Sequence, residues 1–150
     1  MHLIYLFFIL NLLYYYPDIY YMPYVCTICE NDPSSHSFKN IGTFDNTTCY
    51  YTCPAKATKY NDANGIVQHY DGVLSENNNY WVWFFDANKF AMKHLLEINV
   101  GIQLAKLISN KFSHNLVKIV ILNPTWHIAV VIKLVTPFLN NHMKSIITFL

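Results

Sequence analysis

Tyr80-Trp81-Val82-Trp83-Phe84-Phe85-Asp86 is the stretch that decides the fold. It is aromatic or β-branched up to a closing acid, a composition that suits a strand. Side chains alternate across a strand, so Trp81, Trp83 and Phe85 share one face and Val82, Phe84 and Asp86 the other. Both faces are apolar, which predicts a strand covered on both sides, as in a sheet that carries crossover helices. Downstream, Asn99, Gln103, Lys106 and Asn110 form one polar stripe on an otherwise apolar run, which predicts a well-packed helix over Met92 to Phe112. Val117 to Leu122 (VKIVIL) reads as a buried parallel strand. Asn123 and Pro124 then read as the N-cap and first position of a helix from Thr125 to about Leu139, with Pro137 fraying its last turns. Ser145 to Leu150 reads as a last strand. Upstream, Thr47 to Cys53 and Ile66 to Tyr70 read as strands, the second followed by an Asp71-Gly72 turn. The expected class is α/β: a mixed, largely parallel sheet with right-handed crossover helices.

The 150 residues suit one domain with a short appendage. Hydrophobic residues make up 53% and charged residues 13%, which excludes disorder for most of the chain. The net charge is +1 and every cation is Lys. Nucleic acid is therefore not an expected partner, and the bidentate guanidinium fork for phosphate or base edges is missing.

Leu3 to Tyr16 is apolar apart from Asn11, but its length falls short of the ~20 residues that a spanning helix needs. A signal or anchor and an amphipathic or core-packing helix stopped before Pro17 both remain open, with no cleavage-site pattern to support the first. Cys26 and Cys29 form a C-x2-C pair and Cys49 and Cys53 a C-x3-C pair, and with His36 between them the set superficially resembles a zinc framework. On a strand, residues 49 and 53 would lie ~13 Å apart. Two such thiolates cannot share one tetrahedral zinc, so the four cysteines are read as small hydrophobes and no metal or other cofactor is expected.

Chemistry is sparse. No glycine-rich phosphate loop, nucleophile elbow or H-E-x-x-H motif occurs, and no histidine lies three or four residues from another. Asp86 sits where an α/β strand ends, a position that also suits a turn or cap. No pair of carboxylates is placed for acid–base work, and an enzyme is not expected.

Three stretches together resemble a known family: Trp81-Val-Trp-Phe-Phe-Asp-Ala-Asn-Lys-Phe90, the helix that follows with Leu116-Val-Lys-Ile-Val-Ile-Leu-Asn-Pro-Thr-Trp126, and Pro137-Phe138-Leu139. Their order is similar to the core of the CRAL-TRIO domain of phosphatidylinositol, tocopherol and retinaldehyde carriers. Tyr50 to Ala57 resembles that family's first sheet strand and Ile66 to His69 the next. Asn123 to Trp126 also resembles the related BCH domains, which serve mainly as protein-interaction modules. The resemblance covers Ser37 to Leu150 and leaves residues 1–36 as an apolar segment and connector.

It implies a sheet floor with helices behind it, an apolar pocket in front closed by a helical gate, one bound hydrophobic molecule and no bond chemistry. The chain stops at Leu150, in the strand that normally precedes the gate, so the lid is expected to be missing. Phosphoinositide-binding members carry an acid near the end of the long helix and a Lys opening the last strand. Here Asn110 to His114 contains no acid and Lys144 falls about two residues early, so that specificity is not expected.

The expected function is non-enzymatic binding, with possible transfer, of a lipid or other hydrophobic molecule, in the cytoplasm and in transient contact with a membrane surface. A BCH-like module that meets a protein partner, or a truncated remnant that binds nothing, is the alternative. Expected pocket residues are Trp83, Phe85, Leu104, Ile121, Trp126 and Val131, with polar contacts from Asp86, Asn123, His127 and Lys144.

Overall fold

The computed structural model describes residues 23–150, so the Leu3 to Tyr16 run lies outside the described residues. A short helix α1 (Thr27–Asn31) leads to β1 (Lys39–Phe44) and β2 (Thr47–Thr52). Then come α2 (Ala63–Ser75), β3 (Tyr80–Asp86), α3 (Met92–Leu95) and α4 (Ile98–Leu107). β4 (Leu116–Leu122), α5 (Trp126–Val135), α6 (Asn141–Ser145) and β5 (Ile147–Phe149) complete the chain. The five strands lie in the order β1-β2-β3-β4-β5, with β1 antiparallel to β2 and the other neighbours parallel. The mixed, largely parallel α/β sheet expected from the pattern is what forms.

This strand order settles where the helices go. Parallel strands added one after another in one direction, by crossovers of one hand, place every crossover on the same side of the sheet. Buried residues of α2 (Ile66, Tyr70, Leu74), α4 (Leu104), α5 (Ile128) and α6 (Met143) accordingly join one core with Tyr50, Trp81, Trp83, Ile119 and Ile121. On the opposite face Val82 and Phe84 are only half-buried. The expectation that β3 is covered on both sides is corrected: helices cover the Trp81/Trp83/Phe85 face.

Several local expectations change with it. Ile66 to Tyr70 is not a strand but the middle of α2, and Asp71-Gly72 is not a turn but part of the same helix. The buried positions Ile66, His69, Tyr70 and Leu74 recur at helical spacing, and Asp62 caps the helix by accepting from the Gly65 N–H at 3.1 Å. Met92 to Phe112 is not one helix, since α3 ends before Leu96-Glu97 and α4 closes in a π turn over Ile108–Phe112. That turn brings the Phe112 carbonyl to 3.0 Å from the buried Trp81 Nε1, which donates to it.

Asn123 does not cap α5. It takes φ +50°, in the left-handed region that Asn tolerates, while the Thr125 hydroxyl accepts from the Ile128 N–H at 3.4 Å. α5 ends at Val135, followed by a 3-10 turn over Thr136–Phe138 that contains Pro137. Ser145 belongs to α6, which leaves β5 a three-residue strand. β1 is fully exposed and joins β2 through Asp45-Asn46, both at positive φ, the tight hairpin turn that matches strand twist.

Candidate hydrophobic cavity

A cavity of about 150 Å³ lies between the helix-bearing face of the sheet and α2, α4 and α5. The sheet contributes Trp83, Phe85, Ile119 and Ile121 to its lining, and the helices contribute Leu104 and Val131 among others. Strand alternation aims Trp83 and Phe85 the same way, and the parallel register sets Trp83 beside Ile119 and Phe85 beside Ile121. The side of α5 that carries Ile128, Val131, Ile132 and Val135 closes the far wall.

Five of the six apolar residues expected at a pocket therefore meet here: Trp83, Phe85, Leu104, Ile121 and Val131. Trp126 does not. It is the first residue of α5, is 61% exposed, and stacks on His127 with ring centroids 3.7 Å apart. The cavity also lies on the helix side of the sheet, between the two layers.

None of the four expected polar contacts lines the cavity. Asp86 binds structure at the end of β3, accepting from Tyr51 Oη at 2.6 Å, Asn123 Nδ2 at 3.0 Å and the Asn88 N–H at 2.9 Å. Burial alone would raise its carboxyl. Those three hydrogen bonds, helped by the Lys56 charge, outweigh burial and hold it below the usual carboxylate range. Asn123 is spent on Asp86, Lys144 is exposed on α6, and His127 flanks Trp126.

The polar groups at the cavity are different ones, among them Trp83 and His94. The Trp83 Nε1 and His94 Nε2 atoms are buried without a hydrogen-bond partner. The Ala91 N–H donates to His94 Nδ1 at 2.9 Å, so the neutral ring carries its proton on Nε2. Burial, reinforced by the nearby Lys93 and His127, lowers the His94 pKa and keeps the ring neutral. Both residues are among those that line the cavity. Sequence reasoning missed His94, whose place depends on the break between α3 and α4.

A second cluster lies at the edge of the sheet: one ligand-capable atom from each of Cys26, Cys29, His36 and His69, all within 4.8 Å of one another.

The model of the CRAL/TRIO domain family matches residues 61–150. The chain belongs to the CRAL/TRIO family. That family is known for binding and transferring hydrophobic molecules such as lipids. Among solved structures the chain is similar to that titled "Crystal structure of Sfh5", with a TM-score of 0.61 and 13% identity. The match covers 87% of this chain and 52% of that one, so the chain spans about half the length of that protein. A search of curated protein sequences finds no match. Among the described residues, no helix of this CRAL/TRIO chain is long and apolar enough to cross a membrane.

Proposed function

We propose that this CRAL/TRIO chain binds the apolar part of one lipid or similar hydrophobic molecule in the cavity behind β3 and β4, and passes it to and from membranes without bond chemistry. The observation that carries this reading is the cavity itself, bounded by carbon on both the sheet side and the helix side. Each methylene that leaves water contributes ~0.8 kcal/mol, so an acyl segment needs few polar contacts. The unpaired Trp83 and His94 donors favour a ligand with a carbonyl, ester or hydroxyl oxygen to accept from them.

α5 supplies the route. Its inner side lines the cavity, while Trp126, Val130, Leu134 and, just beyond it, Phe138 are exposed at intervals of four. A helix apolar on both sides is unusual at a water-facing surface and suits one that dips into a membrane interface as the cavity opens. The present volume fits a benzene-sized group, against ~300–1,000 Å³ for drug-sized ligands, so loading requires α5 to move outward.

The same small volume favours a second reading, a BCH-like module whose cavity stays closed and whose exposed α5 stripe meets a protein. The two separate in one experiment. Organic extracts of the purified protein are analysed by mass spectrometry, and transfer of a fluorescent phospholipid between vesicles is followed. Co-purified lipid with transfer faster than the protein-free rate supports the carrier. Empty extracts with no transfer refute it.

A further inference from the structure

We propose that Cys26, Cys29, His36 and His69 form a tetrahedral zinc site that fastens the N-terminal connector to α2. The Cys26 Sγ lies 3.6 Å from His36 Nδ1, the Cys29 Sγ 3.4 Å from the same nitrogen, and the Cys29 Sγ 3.6 Å from His69 Nδ1. Zinc–sulfur bonds of ~2.3 Å and zinc–nitrogen bonds of ~2.05 Å, at tetrahedral angles, separate sulfur from nitrogen by about 3.5 Å. The observed distances match that edge. Cys49 and Cys53 take no part, and the expectation that no metal is bound, which was argued from that second pair, does not bear on this cluster. The ligands that complete this set are histidines, and His69 reaches it because residues 63–75 form a helix.

The surroundings orient the ligands as a metal site requires. His69 Nε2 lies 2.7 Å from the Phe38 carbonyl, which can only accept, so the proton is on Nε2 and the Nδ1 lone pair faces the sulfurs. His36 Nε2 stands 3.5 Å from Asp62 Oδ2, the carboxylate–histidine arrangement that orients metal-binding imidazoles. Both rings are buried. Without metal, the two thiol protons can serve the two ring nitrogens, Cys26 toward His36 and Cys29 toward His69. Zinc would replace the two thiol protons, which leave to water, and two thiolates with two neutral imidazoles make a centre of no net charge. Four protein ligands fill the coordination shell, which marks the site as structural.

The fold has a use for it. α1 buries no residue of its own, so core packing does not account for its position. Gly65 lets it lie close to α2, since a side chain there would collide with the Asp62 carboxylate and Ile28. His36 also lines the hydrophobic cavity, so the metal would fix one edge of the cavity wall.

The test uses the full chain, produced with zinc and purified under reducing conditions, independently of any lipid. Elemental analysis is expected to give one zinc per chain. Cobalt(II) exchange is expected to give thiolate charge-transfer bands and the intense visible bands of a tetrahedral centre, absent in Cys26→Ser and His69→Gln and unchanged in Cys49→Ser. If those ligand variants fail to fold, the wild-type cobalt spectrum decides, together with Asp62→Asn. Asn keeps the helix cap but removes the carboxylate, and zinc affinity should fall about 10–100-fold. Zinc far below one per folded chain, a weak octahedral cobalt spectrum, a Cys26–Cys29 disulfide in reduced preparations, or full metal retention in folded Cys26→Ser would overturn the site.

Discussion

Two alanine substitutions on the same strand test whether the cavity is real. Leu116 and Ile121 both belong to β4, both face the helices, and are 1% and 4% exposed. Replacing either with Ala removes the same number of carbons. Leu116 is packed on all sides within the core, whereas Ile121 borders the cavity. Leu or Ile to Ala in a packed core costs about 2–5 kcal/mol, and the spread depends on how many contacts the deleted atoms had. A side chain beside a void has already lost partners on one side. Leu116→Ala should therefore fall near the top of that range, about 4 kcal/mol, and Ile121→Ala near the bottom, about 2 kcal/mol. Urea unfolding of delipidated protein measures both, provided the slope against denaturant is unchanged. Equal losses within about 0.5 kcal/mol, or a larger loss at Ile121, would refute the reasoning.

Further outcomes follow from the same geometry. Leu134→Glu on the exposed stripe of α5 should abolish flotation with phospholipid vesicles while changing stability by less than about 0.5 kcal/mol; unchanged flotation would remove α5 from membrane contact. Thr125→Ala removes the α5 cap and should destabilise the chain by about 1 kcal/mol, read as a lower midpoint in urea. His36, His69 and His94 all have folded pKa values below the ordinary 6.5 because of burial. Below that pH the unfolded chain takes up more protons than the folded one, so the metal-free protein should lose thermal stability as pH falls from about 6.5. A melting temperature flat between neutral pH and pH 5 would contradict this.

Much of the architecture was readable from local composition, and the exceptions have physical causes. β3 and β4 announce themselves because both are runs of residues that fit only a covered strand. The face assigned to β3 carries Trp83 and Phe85, which line the cavity together with Ile121. Ile66 to Tyr70 misled because five residues cannot separate a period of two from one of 3.6; the longer spacing from Ile66 through Tyr70 to Leu74, with Asp62 as cap, carries the helix signal. β1 buries nothing, so it leaves no burial pattern, and Asp45-Asn46 was the available sign of a hairpin. Trp126 was placed by its hydrophobicity, yet the first turn of α5 points it outward. The Cys/His cluster was half legible: Cys26, Cys29 and His36 lie close together in sequence, but they were weighed with Cys49 and Cys53, and the fourth member, His69, reaches them only because residues 63–75 form a helix.

Native mass spectrometry of the gently purified chain tests the central claim most directly. Wild-type protein should carry one adduct of lipid mass. Val131→Trp, which fills the cavity from α5, should lose that adduct while remaining folded, and Leu134→Glu, on the outer side of the same helix, should keep it when loaded in detergent. An adduct that persists in folded Val131→Trp, or a wild-type chain that carries none and takes none up, would contradict the account.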